Sequence, residues 1–185
     1  MRVKATGMAI VAVSVVPALL AGEGQVKAPS GGQTSTVAVE GTIEAVSPQG
    51  TSLSVRTTDG TTQLFRLLEK LFVDGADPND ELIGLKQGTP VVIHYSGSGA
   101  SATAQEVDRI DGGGLNITEG VVTSINRDRG EIKVRYDNQT TETFKLTNRA
   151  ARDSGRDLNS AEHPRVIVYY TNKHGVKEVH YFRKK

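Results

Sequence analysis

Residues 40–67 read EGTIEAVSPQGTSLSVRTTDGTTQLFRL, and residues 119–146 read EGVVTSINRDRGEIKVRYDNQTTETFKL. Laid over one another, the two stretches need no gap. Glu40-Gly41 meets Glu119-Gly120, Val46 meets Ile125, Leu53 meets Ile132, Val55-Arg56 meets Val134-Arg135, Phe65 meets Phe144 and Leu67 meets Leu146. An ordered series of matches at one spacing, 79 positions, marks an internal repeat. Further along, the segment from Val91 to Tyr95 aligns with that from Val166 to Tyr170 at a spacing of 75. Glu106-Val107 and Ile110 align with Glu178-Val179 and Phe182 at 72. The shortening falls where loops are expected.

Each copy reads as strands. Leu53-Ser54-Val55 and Ile132-Lys133-Val134-Arg135 alternate apolar with polar, the period of a half-buried strand. Asp59-Gly60 and Asp137-Asn138 supply hairpin turns to the strands that follow. Pro90 and Pro164 each sit near the start of a fourth strand, where a missing N–H is tolerated. A fifth strand closes each copy. The cores should hold Ile43, Val46, Leu53, Val55, Phe65, Leu67, Val91, Ile93 and Val107 in the first copy. In the second they should hold Val122, Ile125, Ile132, Val134, Phe144, Leu146, Val166, Val168 and Val179. The insertions at 68–85 and 148–163 have room for a short helix, limited by Gly75 and Pro78 or by Gly155.

The run EGTIEAVSPQGTSLSVRTTDGTTQLFRL, followed by LKQGTPVVIHY and ATAQEVDRI, resembles the small OB-like barrel of a family of bacterial extracytoplasmic domains of unknown function. The first copy fits over residues 39–111. The second departs from the pattern at His163, where a Gly is expected, and at Val176, where an Ala is expected. The resemblance implies an exported setting and a fold, with no catalytic residue to carry over. The expected fold class is therefore all-β: two tandem five-stranded OB-like barrels after an N-terminal signal peptide. The expected layout is a signal peptide over 1–24, a linker over 25–38, a first barrel over 39–111, a Gly-rich hinge over 112–117 and a second barrel over 118–185.

Arg2 and Lys4 precede an apolar stretch from Met8 to Ala21, and small residues follow at Gly22 and Gly24. This is the plan of a secretory signal peptide, and the stretch is short for a membrane helix of ~20 residues. The expected location is periplasmic or secreted, with no stable membrane span after cleavage. Hydrophobic residues make up 37% and charged residues 23% of the 185, a globular balance rather than a disordered one. No Cys is present, which excludes disulfides, thiolate metal sites and thiol nucleophiles, and the lack of Trp removes the strongest stacking residue.

The remaining chemistry points to a binding module rather than an enzyme. No G-x-S-x-G elbow, phosphate loop or H-E-x-x-H pattern occurs. Glu40 with Glu119, and Glu106 with Glu178, recur between the copies, which suits a shared structural role. Asp74, Asp77, Asn79, Asp80 and Glu81 are oxygen-rich, but their spacing is not that of an EF-hand, and a solvated loop is expected. His94 and His180 are expected on the surface, with no metal and no cofactor.

Net charge is +1 overall, but residues 39–111 carry 5 Lys and Arg against 11 Asp and Glu, and residues 118–185 carry 14 against 9. Lys133, Arg135 and Lys145 alternate outward on two adjacent strands, Arg127 and Arg129 lie in the preceding turn, and Tyr169 and Tyr181 look free to stack. These residues, Tyr169 included, form the expected ligand-binding set. The expected partner is an envelope polymer or protein of negative charge. Nucleic acid is disfavoured, for want of a stacking platform and because of export. The alternative is an assembly protein whose oppositely charged barrels dock within or between chains, so self-association is a second partner reading. The expected mature N-terminus lies between Gly22 and Ala28; intact mass after export checks it, and a full-length chain retained in the membrane fraction contradicts it.

Overall fold

The computed structural model describes residues 37–75 and 84–185. The signal peptide, most of the 25–38 linker, and Asp77, Asn79, Asp80 and Glu81 of the acidic loop lie outside the described residues. No helix among the described residues is long and apolar enough to cross a membrane.

The first sheet is built from β1 (Val37–Val46), β2 (Ser52–Thr57), β3 (Thr62–Asp74), β4 (Pro90–Ser96) and β5 (Thr103–Arg109). Strand β1 thus starts within the stretch read as linker. The order is β1-β2-β3-β5-β4, with β4 returning to β1, so the five strands form a closed barrel. Alternation does what the sequence pattern asks: Ile43, Leu53, Val55, Phe65, Val91, Ile93 and Val107 are buried inside, with Val46 and Leu67 partly buried at the edge. Phe65 meets Tyr95 edge-on at 5.0 Å between ring centres. The repeated Glu-Gly has a steric cause. A Cβ on Gly41 would lie 2.5 Å from both Arg56 O and Val55 Cγ1, and one on Gly120 would lie 2.5 Å from Val134 Cγ1, closer than real Cβ atoms come.

The second sheet comprises β6 (Asn116–Asn126), β7 (Glu131–Arg135), β8 (Thr141–Leu146), β9 (Arg165–Lys173) and β10 (Val176–Lys184), with α1 (Asn148–Asp157) between β8 and β9. Its core holds Val122, Ile132, Val134, Phe144, Leu146, Val166, Val168 and Val179, with Ile125 partly buried.

Two tandem all-β barrels of one design do not describe the chain, and that expectation is corrected. In the first sheet β3 runs on past a bulge to Asp74 and pairs with β5 at five positions from Arg66 to Asp74. In the second, β8 stops at Leu146, and the pairing of β8 with β10 that completes the circuit spans two positions, Lys145 with Glu178 and Leu146 with Val179. The next residue, Thr147, turns the chain into α1, its side chain accepting a hydrogen bond from the Ala150 N–H as an N-cap. The helix packs on β8 and β10 and adds Ala150 to the core. The insertion at 148–163 therefore replaces strand with helix at that seam.

The register of the closing strands is also corrected. Thr103 and Ala104 pair with Arg66 and Leu67, as Glu178 and Val179 pair with Lys145 and Leu146. The spacing for the last strand is thus 75, not 72, and Glu106 corresponds to Tyr181 rather than Glu178. The slip has a cause in the letters: Glu-Val occurs at 106–107 and again at 178–179, while the true counterparts, Ala104 with Val179 and Val107 with Phe182, share none. Gln105 is the extra residue in β5 and His180 the extra residue in β10, so the bulges themselves correspond.

The described residues, 37–75 and 84–185, fall in one compact unit. Between the sheets, Val92 and Ile110 of the first pack with Tyr181 of the second, flanked by Ala38, Leu115 and Tyr169. Gly112–Gly114 makes a turn, and the Leu115 N–H beyond it donates to Glu40 Oε1 at 2.9 Å. Phe65 and Phe144 are both fully buried. Changing either to Ala should cost ~3–5 kcal/mol by denaturant titration; a loss under ~0.5 kcal/mol at both positions would contradict the packing.

Candidate functional site

Two groups of polar side chains stand out, one on the outside of the second sheet and one buried between the sheets. The outer group sits on the hairpin of β7 and β8. Ile132, Val134, Phe144 and Leu146 face the core, so Lys133, Arg135 and Lys145 are exposed on the opposite face. Lys133 lies across from Thr143, Arg135 from Thr141, and Lys145 from Glu131. Lys145 Nζ donates to Glu131 Oε1 at 2.7 Å, and that bond holds the Glu131 carboxyl below its usual range. Among the described residues no carboxylate makes an ion pair with Lys133 or Arg135. The first sheet differs at matching positions. Arg56, the counterpart of Arg135, pairs with Glu44 at 2.5 Å, and Thr123 stands where the second copy would need that Glu.

Arg127 and Arg129 lie in the turn before β7, both exposed. Arg127 Nη2 donates to Gly155 O at 3.3 Å, on α1. Tyr169 does not join this face. It stacks on Tyr181, ring centres 4.2 Å apart and planes 12° from parallel, with the Arg183 guanidinium 5.6 Å from its ring. The expectation that these two tyrosines are free to stack on a ligand is corrected: each is the other's partner, and Tyr181 is buried.

The buried group corrects the reading of the histidines. His94 and His180 do point out of their own barrels, but each outward face is covered by the other sheet. His94, Asp108, His180, Glu106 and Thr171 are all at most 3% exposed. Asp108 Oδ2 receives His180 Nδ1 at 2.8 Å and His94 Nε2 at 3.2 Å. An ionised Asp108 only accepts, so both ring nitrogens carry the proton toward it, and His180 Nε2 is hydrogen-bonded to the Thr171 hydroxyl at 3.1 Å. The bulge at His180 aims it across the boundary. Beside this chain, Arg152 of α1 reaches Glu106 Oε2 in a charge-assisted hydrogen bond.

Burial acts on both carboxyls but does not decide both. It raises the Glu106 pKa, only partly opposed by the charge of Arg152, and Asp108 nearby pushes it the same way. Burial also works to raise Asp108, yet the bonds from His180 and His94 outweigh it and hold the carboxyl below its usual range. Glu106 Oε1 and Asp108 Oδ1 are buried without a hydrogen-bond partner. Among the described residues, no three His, Asp or Glu side chains are placed to hold a metal ion. The cluster is almost wholly buried, with His94 at the edge of a cleft of about 190 Å³, and its geometry ties β4 and β5 to β9, β10 and α1.

Sequence reasoning named the outer group, gave Glu106 a structural role but with the wrong counterpart, Glu178, and missed Asp108, which looks like an ordinary solvated position beside the buried Val107. One signal was present. In the correct register the counterparts of His94 and Glu106 are Tyr169 and Tyr181, and large aromatics at outward positions indicate a covered face.

No family model matches the chain, and no curated protein matches it. Among solved structures, the crystal structure of Ag(I)CusF is similar over 40% of this chain and 97% of its own, at 11% identity and a TM-score of 0.32. That likeness is too slight to carry a ligand or an activity across.

The two carboxyls have opposite linkage. Asp108, with its pKa lowered, stabilises the fold above its unfolded value of ~3.9, and that contribution is lost as pH falls through the folded value. Glu106, with its pKa raised, favours the fold while protonated, and that contribution is lost as pH rises through its folded value. In urea titrations from pH 4 to 8, Asp108→Asn should therefore lower stability at pH 7 by ~1.5–3 kcal/mol, the worth of a hydrogen bond to a charged group, and by less toward pH 4. Glu106→Gln should be neutral or stabilising at pH 8, with the benefit shrinking as pH falls.

Proposed function

We propose that this chain is a non-enzymatic binding module of the cell envelope that holds an anionic polymer on the outer face of β7 and β8. The observation that carries this reading is that Lys133 and Arg135 are exposed and make no direct ion pair among the described residues, where the matching Arg56 of the first copy is paired with Glu44; Glu131 acts on Lys133 only at a distance. Exposed charges act over ~8 Å at physiological salt, so cations grouped on one hairpin and its adjoining turn attract a polyanion together. Arg129 extends the group, and Lys145 adds less because Glu131 already engages it.

A second reading, assembly through opposite charges, has its own support. Arg152 reaches Glu106, and Lys173 lies 3.7 Å from Asp111, so cations of the second sheet meet carboxylates of the first within one chain. These contacts lie away from the β7–β8 face and leave its cations available.

The test is retention of the chain on heparin across a salt gradient. Affinity should fall steeply with salt, because each neutralised charge releases counterions. Changing Lys133 and Arg135 together to Ser should weaken retention markedly, with the melting temperature nearly unchanged because both side chains face water. Lys145→Ser should have the smaller effect. Elution of the unchanged chain below ~0.15 M salt would reduce the face to a solvated surface.

A further inference from the structure

Next to the cationic hairpin, the turn before β7 and the chain leaving α1 enclose an open cleft of about 600 Å³. Its apolar floor is Ile125, partly buried, and Leu158, buried. Its walls carry Ser124, Arg127, Asp128 and Ser160. A second cleft of about 450 Å³ shares Arg127 and Leu158 and adds Arg156 and Lys184, each paired with a carboxylate of the same lining, Asp157 and Glu162. Arg127 is the wall between them, and it is held in place. Its guanidinium donates to Gly155 O, and a Cβ on Gly155 would come 3.2 Å from its Nε, so the glycine lets the side chain lie against α1.

We infer that this cleft seats a sugar ring of an acidic polysaccharide, with the acidic groups of the neighbouring sugars on Arg129 and Lys133. The inference rests on the polymer-binding reading above and names the class of polymer. Three features select it. Asp128, ionised, only accepts hydrogen bonds, and among the described residues no side chain pairs with it. A sugar hydroxyl can donate to Asp128 while accepting from Arg127, whereas a polyphosphate offers oxygens that only accept and charge that Asp128 repels. The Ser124 and Ser160 hydroxyls make no hydrogen bond among the described residues, and they suit a polyhydroxyl ligand. No aromatic side chain lines the cleft, so a nucleic acid has no stacking platform there. The volume is in the range of ordinary ligand clefts.

The experiment measures binding of two probes to the chain by calorimetry at one salt concentration: an oligogalacturonate and a linear polyphosphate of similar length. Asp128→Ala should weaken the oligogalacturonate about tenfold, the loss of one hydrogen bond to a charged group. The same variant should leave polyphosphate unchanged or tighten it, since a repelling charge is gone. Ser160→Ala provides a second variant at an exposed position and should weaken only the oligogalacturonate. Unchanged melting temperatures exclude misfolding as the cause. If both variants leave the oligogalacturonate unchanged, or if polyphosphate binds the unchanged chain more tightly, the inference is overturned while the polymer-binding reading stands. If neither probe binds, both are overturned.

Discussion

Asp108 sits at the centre of the described fold, without exposure to solvent, and accepts a hydrogen bond from a histidine of its own sheet and from one of the other. A buried carboxylate is expensive unless it is paired and hydrogen-bonded, and removing either partner leaves a charge stranded. The arrangement that satisfies Asp108 therefore requires both sheets at once. The apolar contact among Val92, Ile110 and Tyr181 supplies attraction without direction; the His94–Asp108–His180 chain supplies the direction. Everything outward on β4 and β5 follows from it, since positions that alternation would give to water are given to the second sheet instead.

This explains how far the sequence could be read. Inward positions depend on local period alone, so the cores around Phe65 and Phe144 were legible, whereas Gly41 and Gly120 stood out only as matching letters until the clash a Cβ would make explained them. Outward positions depend on what covers them. Nothing local to His94 or Asp108 announces a second sheet, and carboxylates on either side of Val107 look solvated. The closing strand misled for another reason. Glu-Val occurs at 106–107 and again at 178–179, so alignment by letters matched Val107 to Val179 where the ladder matches it to Phe182. The helix at 148–157 was allowed for but not distinguished from a loop, because its start depends on the single cap at Thr147.

The cationic hairpin was legible because it asks only for alternation. What the sequence reading lacked was the contrast with the first copy. An arginine at position 56 and one at 135 look alike in alignment, but Glu44 neutralises the first and Thr123 leaves the second free. Tyr169 failed as a candidate through the same covering that hid the histidines: its ring is already stacked on Tyr181.

The histidine at the β10 bulge, where β5 carries Gln105, and the helix at the seam make the two sheets non-interchangeable. His94 and Glu106 occupy the outward positions in the first copy, and Tyr169 and Tyr181 occupy them in the second. A chain of two first copies would bring carboxylates to both sides of the boundary and would lack α1, and so Arg152, to answer them. A chain of two second copies would bring aromatics to both sides with no acceptor for the histidines. Drift at one repeat is thus answered at a different residue type in the other. Two sheets under that constraint keep like apolar letters on their inner faces and differ on the faces where they touch.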